Sequence, residues 1–372
     1  MKQPTLRGYR SHLAGALRSL FPGSERFGPP RGICDSLAAW CRDHQAEFRF
    51  IAPPEASPQS VAEEGAAPPQ NPLFAALIRD GRVFGERSIA ILTHEDRVIA
   101  EVSAAGFRRT IEEHRIFRQF LLPRVHRLDG IAAVLAVPGG NTYYHWLLDS
   151  LPRLELIRLA GWPLEGLRHF IVSGHRRAFQ VETLERLKLS GKTVSLDESP
   201  HVRAAQLIVP SFTGPRERAP GWACEFLRRL FPGNDQAAGP SPRRIYISRA
   251  RAKSRRVTNE SEVASLLARS GFQAVLLEEL SVADQARLFA NAEWIVGPHG
   301  SGFANLVFCA RGAKVLEIFS PAPVKDMYEY LARQAGCEYR SLFCLSRSSD
   351  PSDRRAVTVD LRALDEVLAQ MV

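Results

Sequence analysis

The amino-acid sequence predicts an α/β protein of two Rossmann-like lobes with a central cleft, and three observations carry that expectation. Apolar, strand-sized runs alternate with helix-sized segments through the second half of the chain, the pattern of a parallel sheet covered on both faces. Glycine-rich turns end two of the apolar runs, at Pro138-Gly139-Gly140 and at Gly297–Gly302. The 372 residues are about twice the size of an ordinary domain.

Taken in order, the chain opens with Lys2, Arg7, Arg10, Arg18, Arg26 and Arg31 around Leu13, Leu17, Leu20 and Phe21. These residues suit a short basic amphipathic helix, packed on the body or in peripheral contact with an anionic membrane. Residues 52–72 are rich in Pro, Ala and Glu and read as a linker, so residues 1–75 form an extension. A first lobe, 76–235, holds strands at Ser88–Ser103 (turning at His94–Arg97), Ile131–Val137, His169–Val172, Val194–Leu196 and Ala205–Val209. Its helices are expected after Gly140, over Arg177–Leu189 and over Trp222–Leu230. The linker Pro232–Pro242 leads to a second lobe, 236–372. There strands Arg244–Ser248, Phe272–Leu277, Glu293–Val296 and Ala313–Phe319 alternate with helices Asn259–Arg269, Ser281–Asn291 and one opening at Phe303–Phe308.

Composition narrows the classes. No run of 18 apolar residues is present and Met1–Arg10 has no apolar signal-peptide core. The six cysteines contain no C-x-x-C pair, which favours buried free thiols over a zinc site or a disulfide framework. A cytoplasmic protein is expected, with peripheral contact at the inner membrane face if the N-terminal helix engages lipid. The formal charge of +9 favours anionic partners. The arginines gather at Arg243–Arg256, which points to a local phosphate site rather than a nucleic-acid stripe.

Three segments carry chemistry. Val296–Asn305 leaves a strand, turns through Gly297, Gly300 and Gly302, and starts a helix. A helix N-terminus there would offer N–H groups and a positive dipole end to a phosphate, with His299 donating and Ser301 adding a hydroxyl; the bland alternative is a tight turn. The G-x-S-x-G elbow is excluded because His299 and Phe303 occupy its glycine positions, and G-x-G-x-x-G fails at Asn305. The second segment places Arg249, Arg251, Lys253, Arg255 and Arg256 in a loop after a strand, a set of cations suited to a departing diphosphate. Asn259 and Glu262 fit an N-cap and its partner. Glu317, and with less force Glu278, stand at strand ends where a carboxylate can accept from ribose hydroxyls. The third segment, Asn141–Arg153, follows a Gly-Gly turn; on a helix His145 and Asp149 share a face and form a candidate acid–base pair, the plainer alternative being an aromatic-rich core helix with a satisfied histidine. Pro152 should kink or end that helix. No D-x-D triplet occurs, so no bound metal is expected.

These segments together resemble glycosyltransferase family 61. The likeness rests on N-x-x-x-H-W-L-L-D-x-L-P-R-L from Asn141, I-Y-I-S-R with R-R-V-x-N-E over Ile245–Glu260, L-S-x-x-x-Q over Leu280–Gln285, and G-P-H-G-S-G-x-x-N over Gly297–Asn305. It covers roughly Ile131 to Phe319. Bacterial members of the family are often described as capsular polysaccharide biosynthesis proteins; eukaryotic ones include EGF-domain O-GlcNAc transferases and plant xylosyltransferases. The resemblance implies a GT-B fold and an inverting, metal-independent transfer from a nucleotide sugar, commonly UDP-linked, with no other cofactor. The acceptor would be a glycan or lipid-linked glycan, with no nucleic acid involved. Arg249, Arg256, His299, Gly300, Gly302, Asn305 and Glu317 fall on the donor side by motif, with Arg255, Ser301 and Glu278 beside them. His145 and Asp149 face the reaction centre, Asp149 as base with His145 assisting. Ser301 stands where alanine is frequent and Ala304 where threonine is. Two rivals remain: a nucleotide-sugar epimerase on the same architecture, and a non-enzymatic polyanion-binding module.

Overall fold

The computed structural model describes residues 16–17, 19–20, 25–52, 72–85, 87–106, 109–215, 217–232, 241–252, 255–320, 326–344 and 356–371. Most of the basic N-terminal helix and both expected linkers therefore lie outside the described residues. These fall into two compact units that divide between Thr213 and Gly214. Gly221–Leu230 thus sits with the second unit, where the sequence reading puts it in the first.

The first unit is a ten-stranded sheet. Its strands are β1 (Gly32–Cys34), β2 (Glu47–Ile51), β3 (Leu73–Arg79), β4 (Arg82–Phe84), β5 (Ala90–Leu92), β6 (Arg97–Ile99), β7 (His126–Val134), β8 (His169–Val172), β9 (Thr193–Ser195) and β10 (His201–Pro210). The sheet is mixed, unlike the wholly parallel sheet of a plain Rossmann-like lobe. β10, β7, β8 and β9 run parallel, whereas β2–β3, β3–β10, β4–β10 and β4–β5–β6 are antiparallel. The short connection between β5 and β6 leaves no room for the crossover that parallel pairing needs, while β3 and β4 follow one another along the same side of β10. β1 and β2 come from the stretch set apart as an extension and pair within this sheet. Helix α1 (Leu37–Asp43) buries Leu37, Trp40 and Cys41 in the same apolar cluster as Ile78, Val83, Ile91 and Val134.

Helices α2 (Arg153–Leu159) and α3 (Ala178–Arg186) complete this unit's site-bearing half. Between β7 and α2 the chain forms a helical turn Tyr143–His145 and then a wider turn Trp146–Ser150, in which Leu151 N donates to Trp146 O five residues back at 3.0 Å. Proline explains the widening: Pro152 has no N–H, and its ring would strike the carbonyl four residues behind it. That carbonyl, Leu148 O, accepts instead from Thr213 Oγ1 at 3.5 Å.

In the second unit every strand pairing is parallel. The order is β12 (Gln273–Val275), β11 (Arg244–Ile247), β13 (Trp294–Pro298), β14 (Lys314–Phe319), β15 (Glu338–Phe343). Relative to chain order this reads 2-1-3-4-5, so the winding reverses between β11 and β13, where open α/β sheets bind their ligands. The helices are α4 (Gly221–Leu230), α5 (Glu260–Arg269), α6 (Val282–Asn291), the tight 3₁₀ helix Ser301–Phe308, α7 (Met327–Ala335) and α8 (Leu361–Gln370). Alternation along the strands sends Tyr246, Val296, Leu316 and Ile318 into one cluster with Val263 and Leu267 of α5 and Leu364 and Leu368 of α8.

Among the described residues no helix is long and apolar enough to cross a membrane. The cysteines are free, and all are buried except the half-buried Cys337.

Candidate functional site

In the second unit the segments after β11 and β13 flank the winding reversal. β13 and β11 pack closely because Gly297 lacks a side chain: a Cβ there would lie 2.9 Å from Ile247 Cβ. Beyond β11, Glu260 Oε1 accepts from Ser248 Oγ at 2.6 Å and from Arg249 N at 3.1 Å, fixing the start of the basic loop. Arg249 Nε donates to Arg255 O at 3.0 Å, a carbonyl brought round by the left-handed backbone of Arg255 (φ 57°). The guanidinium thereby reaches the glycine turn, where a Cβ on Gly300 would lie 2.6 Å from Arg249 Nη1. Gly300 is extended and provides no side-chain cap for the helix Ser301–Phe308. Arg249, His299 and that helix start stand together.

His299 is held on three sides. Its Nδ1 donates to Glu317 Oε1 at 2.5 Å, its ring stacks on Phe319 at 5.2 Å between centroids, and Tyr328 lies at 5.2 Å. The His299 side chain keeps 18% of its surface exposed, while Glu317 is fully buried. Tyr339 Oη donates to Glu317 Oε2 at 2.6 Å, so each carboxylate oxygen has a protein partner. Burial and the adjacent Glu317 push the Tyr339 hydroxyl well above the ordinary tyrosine range, keeping it a donor. This corrects the expectation of Glu317 as a ribose acceptor: it is a buried residue that orients His299. Burial could be read from its apolar strand, but the partner Tyr339 lies a strand away and left no local signal.

Other expected donor residues take different places. Asn305 is buried; its Nδ2 donates to Gln285 Oε1 at 2.7 Å and to Gly302 O at 3.1 Å. Gln285 in turn donates to Leu277 O at 2.9 Å and Leu280 O at 3.1 Å. Asn305 thus tethers the glycine turn to the segment after β12. Gly302 packs there too, since a Cβ would lie 2.8 Å from Leu277 Cδ1. Glu278 is not at a strand end but exposed in the tight turn Leu277–Glu279. Ser301 is half-buried at the helix start and Arg256 exposed. Of the neighbouring cations, Arg243 and Arg251 are ion-paired with Glu293 and Glu279, so part of the basic cluster is structural. Asn259 precedes α5 without capping it; its amide pairs with Val359 N and O at 3.0 and 2.9 Å, because that backbone would otherwise lack a partner.

The first unit carries the other candidate pair. His145 Nδ1 donates to Asp149 Oδ2 at 2.6 Å across the widened turn, and the two side chains are 22% and 25% exposed. This bond fixes the tautomer and leaves Nε2 as the proton acceptor. Gly139, with φ 74°, borders that nitrogen: a Cβ would lie 3.2 Å from it. Around the same strand ends, Asn141 Nδ2 donates to Asp197 Oδ2 at 2.7 Å and Gln180 Nε2 donates to Asn141 Oδ1 at 3.0 Å. Ser173 Oγ ties β8's end to Val137 O at 3.0 Å.

Arg153, quoted in the motif without a role, is fully buried near this pair. It donates to Ala136 O at 2.9 Å and Pro210 O at 2.5 Å. Burial pushes its pKa down to about 9, opposed by the charge of Asp149. An arginine following Leu-Pro inside an apolar segment is the signal that marks it.

Residues 143–316 match the family model described as Glycosyltransferase 61, a span from the turn bearing His145 to the residue before Glu317. The chain is 36% identical over 97 residues to protein O-linked-mannose β-1,4-N-acetylglucosaminyltransferase 2 of Bos taurus, covering 25% of this chain and 17% of the relative. It is 34% identical over 99 residues to the EGF domain-specific O-linked N-acetylglucosamine transferase of Drosophila melanogaster, covering 26% and 19%. For the β-1,2-xylosyltransferase of Arabidopsis thaliana the figures are 29% over 77 residues, 21% and 14%. The chain spans less than a fifth of the length of these relatives.

Proposed function

We propose that this chain, whose residues 143–316 match glycosyltransferase family 61, transfers a sugar from a nucleotide sugar to a hydroxyl acceptor. The observation that carries the reading is the β11–β13 winding reversal, where the Arg249 guanidinium, the Glu317-oriented His299 and an uncapped helix start converge. Such a set binds a diphosphate and neutralises it as it departs, through charge-assisted hydrogen bonds and helix-end N–H groups. The donor is a UDP-sugar, and the two units are the two lobes of a GT-B transferase. With no D-x-D triplet in the sequence, leaving-group charge is carried by cationic side chains and the mechanism is metal-independent.

In the first unit, His145 Nε2 activates the acceptor, with Asp149 orienting the ring and stabilising the imidazolium, a reading that the Nδ1 hydrogen bond supports. That reverses the roles expected from sequence. Attack of the deprotonating hydroxyl on the anomeric carbon, opposite the leaving diphosphate, inverts that centre. The acceptor is a glycan or lipid-linked glycan of a surface polysaccharide.

Incubation with labelled UDP-sugars, with and without a glycan acceptor, tests the reading. Transfer of label to the acceptor with inverted anomeric configuration supports it. Conversion of the UDP-sugar alone, with no acceptor needed, would make the protein an epimerase and refute it.

A further inference from the structure

Away from the residues used above, the first unit brings two imidazoles and a carboxylate together on its surface. His44 follows α1 as its C-cap, and His94 and Glu95 form the turn between β5 and β6. One ligand-type atom from each lies within 4.8 Å of the others. We infer that His44, His94 and Glu95 form a binding site for a zinc-type divalent cation that pins the end of α1 to the β5–β6 turn.

Ring orientation is the first reason. His44 Nδ1 donates to Trp40 O at 2.9 Å, and since a carbonyl only accepts, that nitrogen carries the hydrogen. His44 Nε2 then turns its lone pair toward Glu95 Oε2 at 3.3 Å. Histidines that ligate metals hold their second nitrogen in this way, on a backbone carbonyl. Without a cation or a second proton on His44, two acceptors would face one another.

Distance is the second. Ligands at about 2.0–2.2 Å from a tetrahedral zinc stand about 3.4 Å apart, the separation His44 Nε2 and Glu95 Oε2 already have. His94, exposed on its turn, offers its ligand atom within 4.8 Å of the other two, and its ring meets those of Trp40 and His44 edge-on at 5.8 and 5.5 Å. The surroundings are the third. Trp40 Nε1 donates to Glu95 Oε2 at 3.0 Å, and the Trp40 ring stacks on His44 at 4.3 Å and 18°. Both ligands are therefore held by groups that do not themselves ligate. Two imidazoles and one carboxylate suit zinc, with water completing the shell.

The test uses the full chain, freed of metal with a chelator and titrated with Zn²⁺ alone by calorimetry. His94→Ala, Glu95→Gln and His175→Ala are compared with it. His175 and Glu198 form another surface His–Glu pair, at 3.0 Å, and serve as the control for adventitious binding. One equivalent of Zn²⁺ should bind, tenfold or more weakly in His94→Ala and in Glu95→Gln and unchanged in His175→Ala. Zn²⁺ should also raise the Tm of the parent protein more than that of His94→Ala, since binding to the folded state stabilises it. Equal affinity in the parent and His94→Ala overturns the site, leaving His44 and Glu95 as a proton-mediated ion pair. So does the absence of binding, or loss confined to His175→Ala.

Discussion

Glu317 and His299 are joined at 2.5 Å, carboxylate to Nδ1, with the carboxylate fully buried and the imidazole at the surface of the β11–β13 reversal. The geometry makes one residue the rudder of the other. Glu317→Leu should weaken nucleotide binding about tenfold to a hundredfold, the effect of about 1–3 kcal/mol for a buried hydrogen bond broken on one side. Glu317→Gln, which can still accept from His299, should lose less. Equilibrium dialysis with UDP reads both; equal losses in the two would show that orientation is not what Glu317 supplies.

The His145–Asp149 bond gives a kinetic expectation. His145→Ala should lower kcat about 10²–10⁴-fold, the usual worth of a positioned general base, while the Kd for UDP stays within about twofold, because this pair belongs to a different unit from the diphosphate groups. Asp149→Asn should reduce kcat less than His145→Ala. Near-normal transfer by His145→Ala would remove the imidazole from the mechanism.

Arg153 ties the end of β7 to the end of β10 through two carbonyls. Arg153→Met should destabilise the protein by about 2–4 kcal/mol, since two buried acceptors lose their donor. Urea unfolding should show a lower midpoint with an unchanged slope. A midpoint equal to the parent's would mean that those carbonyls find other donors.

His114 and His201 both meet Phe84 edge-on, and burial pushes each down to about 4. Unfolded histidine takes its proton near pH 6.5, so between about 6.5 and 4 the unfolded chain binds more protons than the folded one. Stability should therefore be full above pH 6.5 and fall as pH drops toward 4, by up to about 3 kcal/mol for each residue. His114→Asn, which keeps an acceptor for Ile116 N, should flatten this slope in urea unfolding at stepped pH. A slope unchanged by the substitution would assign the acid sensitivity elsewhere.

Much of this was legible in the sequence because it is local. β8 and α4 stand within a residue of expectation, since each is an uninterrupted pattern bounded by turn residues. The parallel second sheet followed from strand–helix alternation. What pattern does not carry is pairing between distant residues. β10 pairs on one side with β3 and β4, which follow one another far earlier in the chain, and on the other with β7, so the mixed sheet of the first unit was hidden. For the same reason Glu317 read as a ligand-facing strand end until Tyr339 and His299 were seen to hold both its oxygens. The glycines read as space for a phosphate, yet Gly297 and Gly302 make room for Ile247 and Leu277, while Gly300 makes room for Arg249.

The central claim is that a nucleoside diphosphate binds at the reversal between β11 and β13. Calorimetric titration with UDP, GDP and UDP-GlcNAc, with and without EDTA, on the parent protein and His299→Ala tests it most directly. The account requires EDTA-insensitive binding of a uridine nucleotide that falls at least tenfold in His299→Ala. Absence of nucleotide binding, binding that needs a metal, or binding indifferent to His299 would contradict it.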